Sequence, residues 1–129
     1  MPKKTVVKVS KLPQPGNPLS RAIRVGDLVF VAGTPAGPNP ATGKLDPDIR
    51  AQVRNCLETI KTILEEAGTS LSNVVAVTTY LKDPSLFAAF NEEYRKYFPT
   101  DPPTRTTVQA NLMRPEMLVE ISSIAVVPS

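Results

Sequence analysis

The sequence predicts an α+β fold, a mixed β-sheet with two helices packed on one of its faces. Segments of strand and helix character follow one another as strand, hairpin, helix, strand, helix, strand, strand. One long segment keeps a helical apolar period, whereas the others are β-branched or alternate. The strands "LVFVA", "VVAV" and "SIAVV" are apolar on both parities, so the sheet face turned away from the helices would be a large exposed patch in a monomer. A closed homo-oligomer that packs these faces together is the economical solution, and it would create clefts between subunits.

"TVVKVS" reads as the first strand, and "RAIRVGDLVFVAG" as a hairpin turning at Gly26 and Asp27. "TPAGPNPATGKLDP" is a loop, because proline and glycine interrupt either regular element. Asp46 followed by Pro47 reads as an N-cap with proline at the first helical position. The apolar stripe Ile49, Val53, Cys56, Leu57, Ile60, Ile63, Leu64 and Ala67 then runs at helical spacing to Gly68. Cys56 falls on that stripe and is expected as a small core residue. "VVAVTTYL" is the next strand, and Asp83-Pro84 caps a second helix with the apolar face Leu86, Phe87, Phe90, Tyr94, Tyr97 and Phe98. These aromatics are assigned to packing. "TRTTVQANL" and "MLVEISSIAVV" complete the sheet.

Composition removes several classes of function. A chain of 129 residues, 41% hydrophobic, suits a single domain spanning residues 1–129 with one core. Fifteen Lys and Arg against 12 Asp and Glu give a net charge of +3, dispersed along the chain, which argues against nucleic-acid binding as a main role. With one cysteine there is neither an internal disulfide nor a thiolate metal site, and a reduced compartment is expected. No apolar leader or membrane-length stretch is seen, so a cytoplasmic protein is expected, with organelle import open. The absence of histidine excludes Ser-His and Cys-His nucleophile pairs and two-His zinc sites. Any chemistry falls to carboxylates, arginine, hydroxyls, backbone groups and water.

Two charged residues stand out. In "PPTRTTVQANL" one parity carries Val108, Ala110 and Leu112, and the other Arg105, Thr107, Gln109 and Asn111. Arg105 heads that polar row, either solvated or holding a ligand. Glu120 shares a parity with Leu118, Ile124 and Val126 in a very apolar strand, where a carboxylate needs a partner or a wet cleft.

The hairpin "RVGDLVFVAGT", the segment "LETIKTILEEAGTSLSNVVAVTTYLKD", "FNEEYRKYFP" and the end "PPTRTTVQANL....LVEISSIAVV" resemble the RidA/YjgF family of reactive-intermediate deaminases over nearly the whole chain. Most specific are the arginine of "RTTV", the glutamate of "VEI" and the "GDLVF" turn. The resemblance implies a chorismate-mutase-like fold and a homotrimer with its sheets facing the centre and its clefts between subunits. It also implies hydrolysis of enamine and imine intermediates, such as 2-aminoacrylate and its imino tautomer, to 2-oxo acids and ammonia, with no metal and no organic cofactor. Carried over by position, Arg105 grips the substrate carboxylate and Glu120 positions the attacking water, while Thr107, Leu19, Gly33 and Asn91 line the substrate site. A guanidinium fork suits a carboxylate, and an imine carbon is already electrophilic, so orientation and a placed water can suffice.

Some positions depart from the usual pattern. Leu19 stands where many members carry a tyrosine, Thr107 where cysteine is frequent, Ser122 in place of a second glutamate, and Thr34 where glutamine is common. They leave open a bulkier or different carboxylate substrate. Two other classes compete with a deaminase: a non-catalytic binder of small carboxylates, and an RNA-acting factor of the kind some family members have been described as.

Overall fold

The computed structural model describes residues 2–129. Its elements are β1 (Thr5–Val6), β2 (Ala22–Val25), β3 (Leu28–Pro35), α1 (Ile49–Glu66), β4 (Val74–Leu81), α2 (Phe87–Tyr97), β5 (Thr104–Gln109) and β6 (Val119–Val126). The strands form one sheet in the order β1-β2-β3-β6-β4-β5. Only β4 and β5 pair in parallel, joined by the α2 crossover, and every other pairing is antiparallel. The α+β class and the mixed sheet are as the sequence predicts.

Alternation decides what faces the helices. Val29 and Val31 of β3, Val77 and Leu81 of β4, and Val119, Ile121 and Ala125 of β6 are buried against α1 and α2. The whole apolar stripe of α1 is buried with them, Cys56 included, and burial pushes its thiol pKa far up. The opposite sheet face carries Val6, Leu28, Phe30 and Val108, all exposed. An apolar face without cover is thus a property of the chain.

Four boundaries differ from the sequence reading. The first strand stops at Val6. Beyond it the backbone N–H groups of Ser10 and Lys11 donate to the Glu66 carboxylate at 3.0 and 3.2 Å, pulling the chain off the sheet onto the end of α1. These bonds, with the Ser10 hydroxyl foremost, hold the Glu66 pKa below its ordinary value. The cap of α1 is Asp48, whose side chain accepts from the Arg50 N–H at 3.3 Å. Asp46 is committed elsewhere: its carboxylate accepts from the Asn39 amide, and its backbone carbonyl from Gln52 at 2.7 Å.

Asp83 caps a 3₁₀ turn, Pro84–Leu86, that leads into α2, so the second helix proper starts at Phe87. At the far end β5 stops at Gln109, because its partner β4 ends at Leu81, before Asp83-Pro84. Gln52, buried within the apolar stripe of α1, was not foreseen. Its amide donates to the carbonyls of Asp46 and Glu116 (2.7 and 3.0 Å) and accepts from the Leu118 N–H (2.9 Å). It fastens the loop before β6 to the helix, and so fixes where β6 enters the sheet.

Candidate functional site

Glu120 is set by strand geometry. Its neighbours Val119 and Ile121 point into the core, so Glu120 points to the uncovered face, opposite Tyr80 of β4 and Pro35 of β3. The β3–β6 ladder slips between Val31 and Thr34, and this bulge brings Gly33 against the carboxylate. A Cβ at Gly33 would fall on the Glu120 Oε2 and 3.2 Å from its Cδ, so only glycine permits the approach. The Thr34 hydroxyl donates to the Ala32 carbonyl at 2.9 Å inside the bulge. Among the described residues Glu120 has no hydrogen-bonding or ionic side-chain partner. It opens into a cleft of about 1020 Å³, lined also by Leu19, Arg21, Gly33 and Met113, and into a smaller one of about 290 Å³ with Tyr80 and Ser122. Arg21 is held in the wall by two hydrogen bonds to the Pro13 carbonyl, at 3.2 and 2.7 Å.

Arg105 lies elsewhere. It pairs with Val77, whose side chain is under the helices, so Arg105 projects on the helix side of the edge strand β5. There its guanidinium carbon is 5.5, 5.0 and 4.7 Å from the ring centroids of Phe87, Phe90 and Tyr94. These residues follow at helical spacing on one side of α2. Burial drives the Tyr94 pKa up to about 12, with the Arg105 charge pulling the other way. The guanidinium forms no hydrogen bond or ion pair among the described residues, which leaves its donors free. Thr107 shares its parity, and Asn91, four residues on from Phe87, lies on the same side of α2.

The structure therefore brings Leu19, Gly33 and Glu120 into one cleft and Arg105, Thr107 and Asn91 to one region, but the two groups are on opposite faces of the sheet. Within one chain they do not meet. An unpaired cation and an unpaired carboxylate are each set to take a polar ligand. Met113, 88% exposed on the cleft wall, and the aromatic seat of Arg105 were missed as site components. Met113 follows a strand and carries no pattern, whereas the aromatic spacing on α2 is visible in the sequence and is read there mainly as packing. Among the described residues no three His, Cys, Asp or Glu side chains converge to hold a metal. No helix is long and apolar enough to cross a membrane.

Known proteins resemble this chain in sequence and fold. The family model described as Endoribonuclease L-PSP matches residues 2–127. A RutC family protein of Pyrococcus abyssi is 44% identical over 123 residues, covering 95% of this chain and 96% of its own. A solved structure of a Rid family protein, YyfA from Yersinia pestis, superposes with a TM-score of 0.86 at 31% identity, covering 96% of this chain and 99% of that one. Yeast Mmf1 gives a TM-score of 0.85 at 30% identity, covering 96% and 98%.

Proposed function

The chain belongs to the Endoribonuclease L-PSP family, which takes in the YjgF/RidA proteins, and on that premise we propose that it is a deaminase of reactive enamine and imine intermediates of amino acids. The observation that carries the reading is Arg105: a guanidinium seated on three rings with its donors free. A planar fork of this kind matches a carboxylate through two parallel hydrogen bonds.

In this reading the enamine tautomerises to the imine, and the protonated imine R–C(=NH₂⁺)–COO⁻ takes up one water. The new C–O bond forms as the C=N π pair moves to nitrogen; the C–N bond then breaks, giving R–CO–COO⁻ and NH₄⁺. Glu120 orients the water, takes its proton and returns it to the amino nitrogen; ammonia then leaves as the carbinol O–H gives up its proton, which makes NH₄⁺, and Arg105 fixes the carboxylate throughout. Since these residues sit on opposite sheet faces, the working site lies between copies of the chain, with Arg105, Thr107 and Asn91 of one facing Leu19, Gly33 and Glu120 of another. The uncovered apolar sheet face supports the same assembly, a homotrimer closed around its centre.

The test is a coupled assay: purified protein is added to a pyridoxal-phosphate dehydratase releasing 2-aminoacrylate, and imine decay is followed. Faster decay with stoichiometric pyruvate and ammonia is expected. Unchanged decay together with pyruvate binding would leave a carboxylate binder instead. Light scattering at micromolar concentration should return three chain masses, and a monomer would remove the shared site. The family name also points to RNA cleavage, but Phe90, Tyr94 and Phe98 are buried, and the exposed rings of Phe30 and Phe87 lie on the open sheet face and on α2 respectively, so they form no continuous platform for bases.

Leu19 is half-exposed at the mouth of the Glu120 cleft. Leu19→Tyr should shift preference between 2-iminopropanoate and longer-chain imino acids by about 1–3 kcal/mol, the size of one pocket contact, with activity retained. Equal kcat/KM ratios in both proteins would take Leu19 out of the specificity.

A further inference from the structure

We propose that Phe87, Phe90 and Tyr94 are positioning residues that aim the Arg105 guanidinium, with Phe87 as the element that sets affinity for the carboxylate. The proposal rests on the reading of Arg105 as the carboxylate clamp. An arginine on a strand has long rotamer freedom, and ordering it at the moment of binding costs affinity. A carboxylate within the protein could order it, but such a partner would compete with the ligand for the same donors. Here the ordering is done from the ring faces instead. Rings attract the cation without using its N–H groups, so the fork is held and remains free to bind.

The three rings differ in what they contribute. Phe90 is fully buried and Tyr94 nearly so, packed at 5.3 Å from each other, and they form a dry floor. Tyr94 packs in turn on Phe98 at 4.7 Å, which ties the floor to the core. The Tyr94 hydroxyl is buried without a partner, so it is the ring and not the oxygen that serves. Phe87 is 42% exposed and forms the outer wall. It contributes little to the core, yet it limits the guanidinium on the solvent side. Thus a change at Phe87 acts on the aim of Arg105 while leaving the fold alone.

The experiment compares wild type, Phe87→Ala, Phe87→Trp and Arg105→Ala by calorimetric titration with pyruvate. Thermal unfolding serves as the fold control, and the Arg105 Nε–H resonance is followed by NMR. In wild type that proton should be shifted upfield by the rings, and in Phe87→Ala it should move toward the solvent-exposed arginine position. Phe87→Ala should weaken pyruvate binding about 3- to 30-fold, the range one cation–π contact covers. In the imine assay KM should rise by the same factor, with kcat unchanged. Phe87→Trp should restore binding.

Wild-type binding by Phe87→Ala would overturn the proposal. A loss that Phe87→Trp fails to restore would do so as well. If Arg105→Ala binds pyruvate like wild type, or if wild type does not bind it, the clamp reading itself falls and takes this proposal with it. Loss in Arg105→Ala beside an unaffected Phe87→Ala sinks the seat alone.

Discussion

Arg105→Ala should abolish measurable binding of 2-oxo acids while the protein stays folded. Both parts follow from where the side chain lies. Its donors form no bond among the described residues, so removing them leaves no buried carbonyl or carboxylate of those residues unsatisfied, and the usual large penalty for breaking a polar network does not arise. What the fold loses is the contact of the cation with its rings, roughly 0.5 to 2 kcal/mol. The ligand loses far more. A bidentate charged contact in a partly dry site is worth about 2–5 kcal/mol on truncation, a weakening on the order of 30- to 4000-fold. For a weak ligand such as pyruvate, that places the complex beyond calorimetric detection. Arg105→Lys should recover only part of the loss, because an ammonium brings the charge without the planar fork. An unchanged dissociation constant in Arg105→Ala would rule out the clamp, and a collapse of the thermal transition would show that the rings need the cation to pack.

How far this site was legible in the sequence depends on the kind of information each residue required. The stripe from Ile49 to Ala67 is local, and all of it is buried as its spacing requires. The uncovered sheet face was readable too, because apolar residues on both parities leave no other outcome. Gln52 was not: within an apolar stripe one polar residue reads as a break, and two of its three bonds go to Glu116 and Leu118, distant in sequence, beside the nearer one to the Asp46 carbonyl. The same limit hid the separation of Arg105 from Glu120. Parity tells which residues of one strand share a face, but not which face that is. For Arg105 the answer comes from the parallel register of β5 on β4, and for Glu120 from the antiparallel register of β6 on β4. Arg105 matches Val77 and Glu120 matches Tyr80, an odd number of residues apart on β4, and so they point opposite ways. The polar row of β5 looked like a solvent face, yet it is the side turned to α2, because an edge strand is covered there by only a few aromatic rings.

Glu120→Gln should leave 2-oxo acid binding nearly intact and lower turnover by about 10²- to 10⁴-fold, the usual worth of a placed proton acceptor. The substitution keeps the length of the side chain and a hydrogen-bonding end, so it fits the space that Gly33 leaves open. What it removes is the capacity to accept a proton from water as oxygen attacks the imine carbon. Loss of kcat with unchanged pyruvate affinity is therefore the signature of an interaction made only in the transition state. Gly33→Ala provides the contrasting case. Its Cβ would fall on the carboxylate and must push it aside, so turnover should drop while the acid itself remains, and the bulge between Val31 and Thr34 is what makes that displacement unavoidable. If Glu120→Gln turns over at the wild-type rate while Gly33→Ala does not, the carboxylate only orients the water and its basicity is not used. If neither variant slows the reaction, attack occurs without this cleft. The water would then be activated by a group other than a carboxylate shared by these clefts, since no other carboxylate of the described residues lines both of them at Gly33.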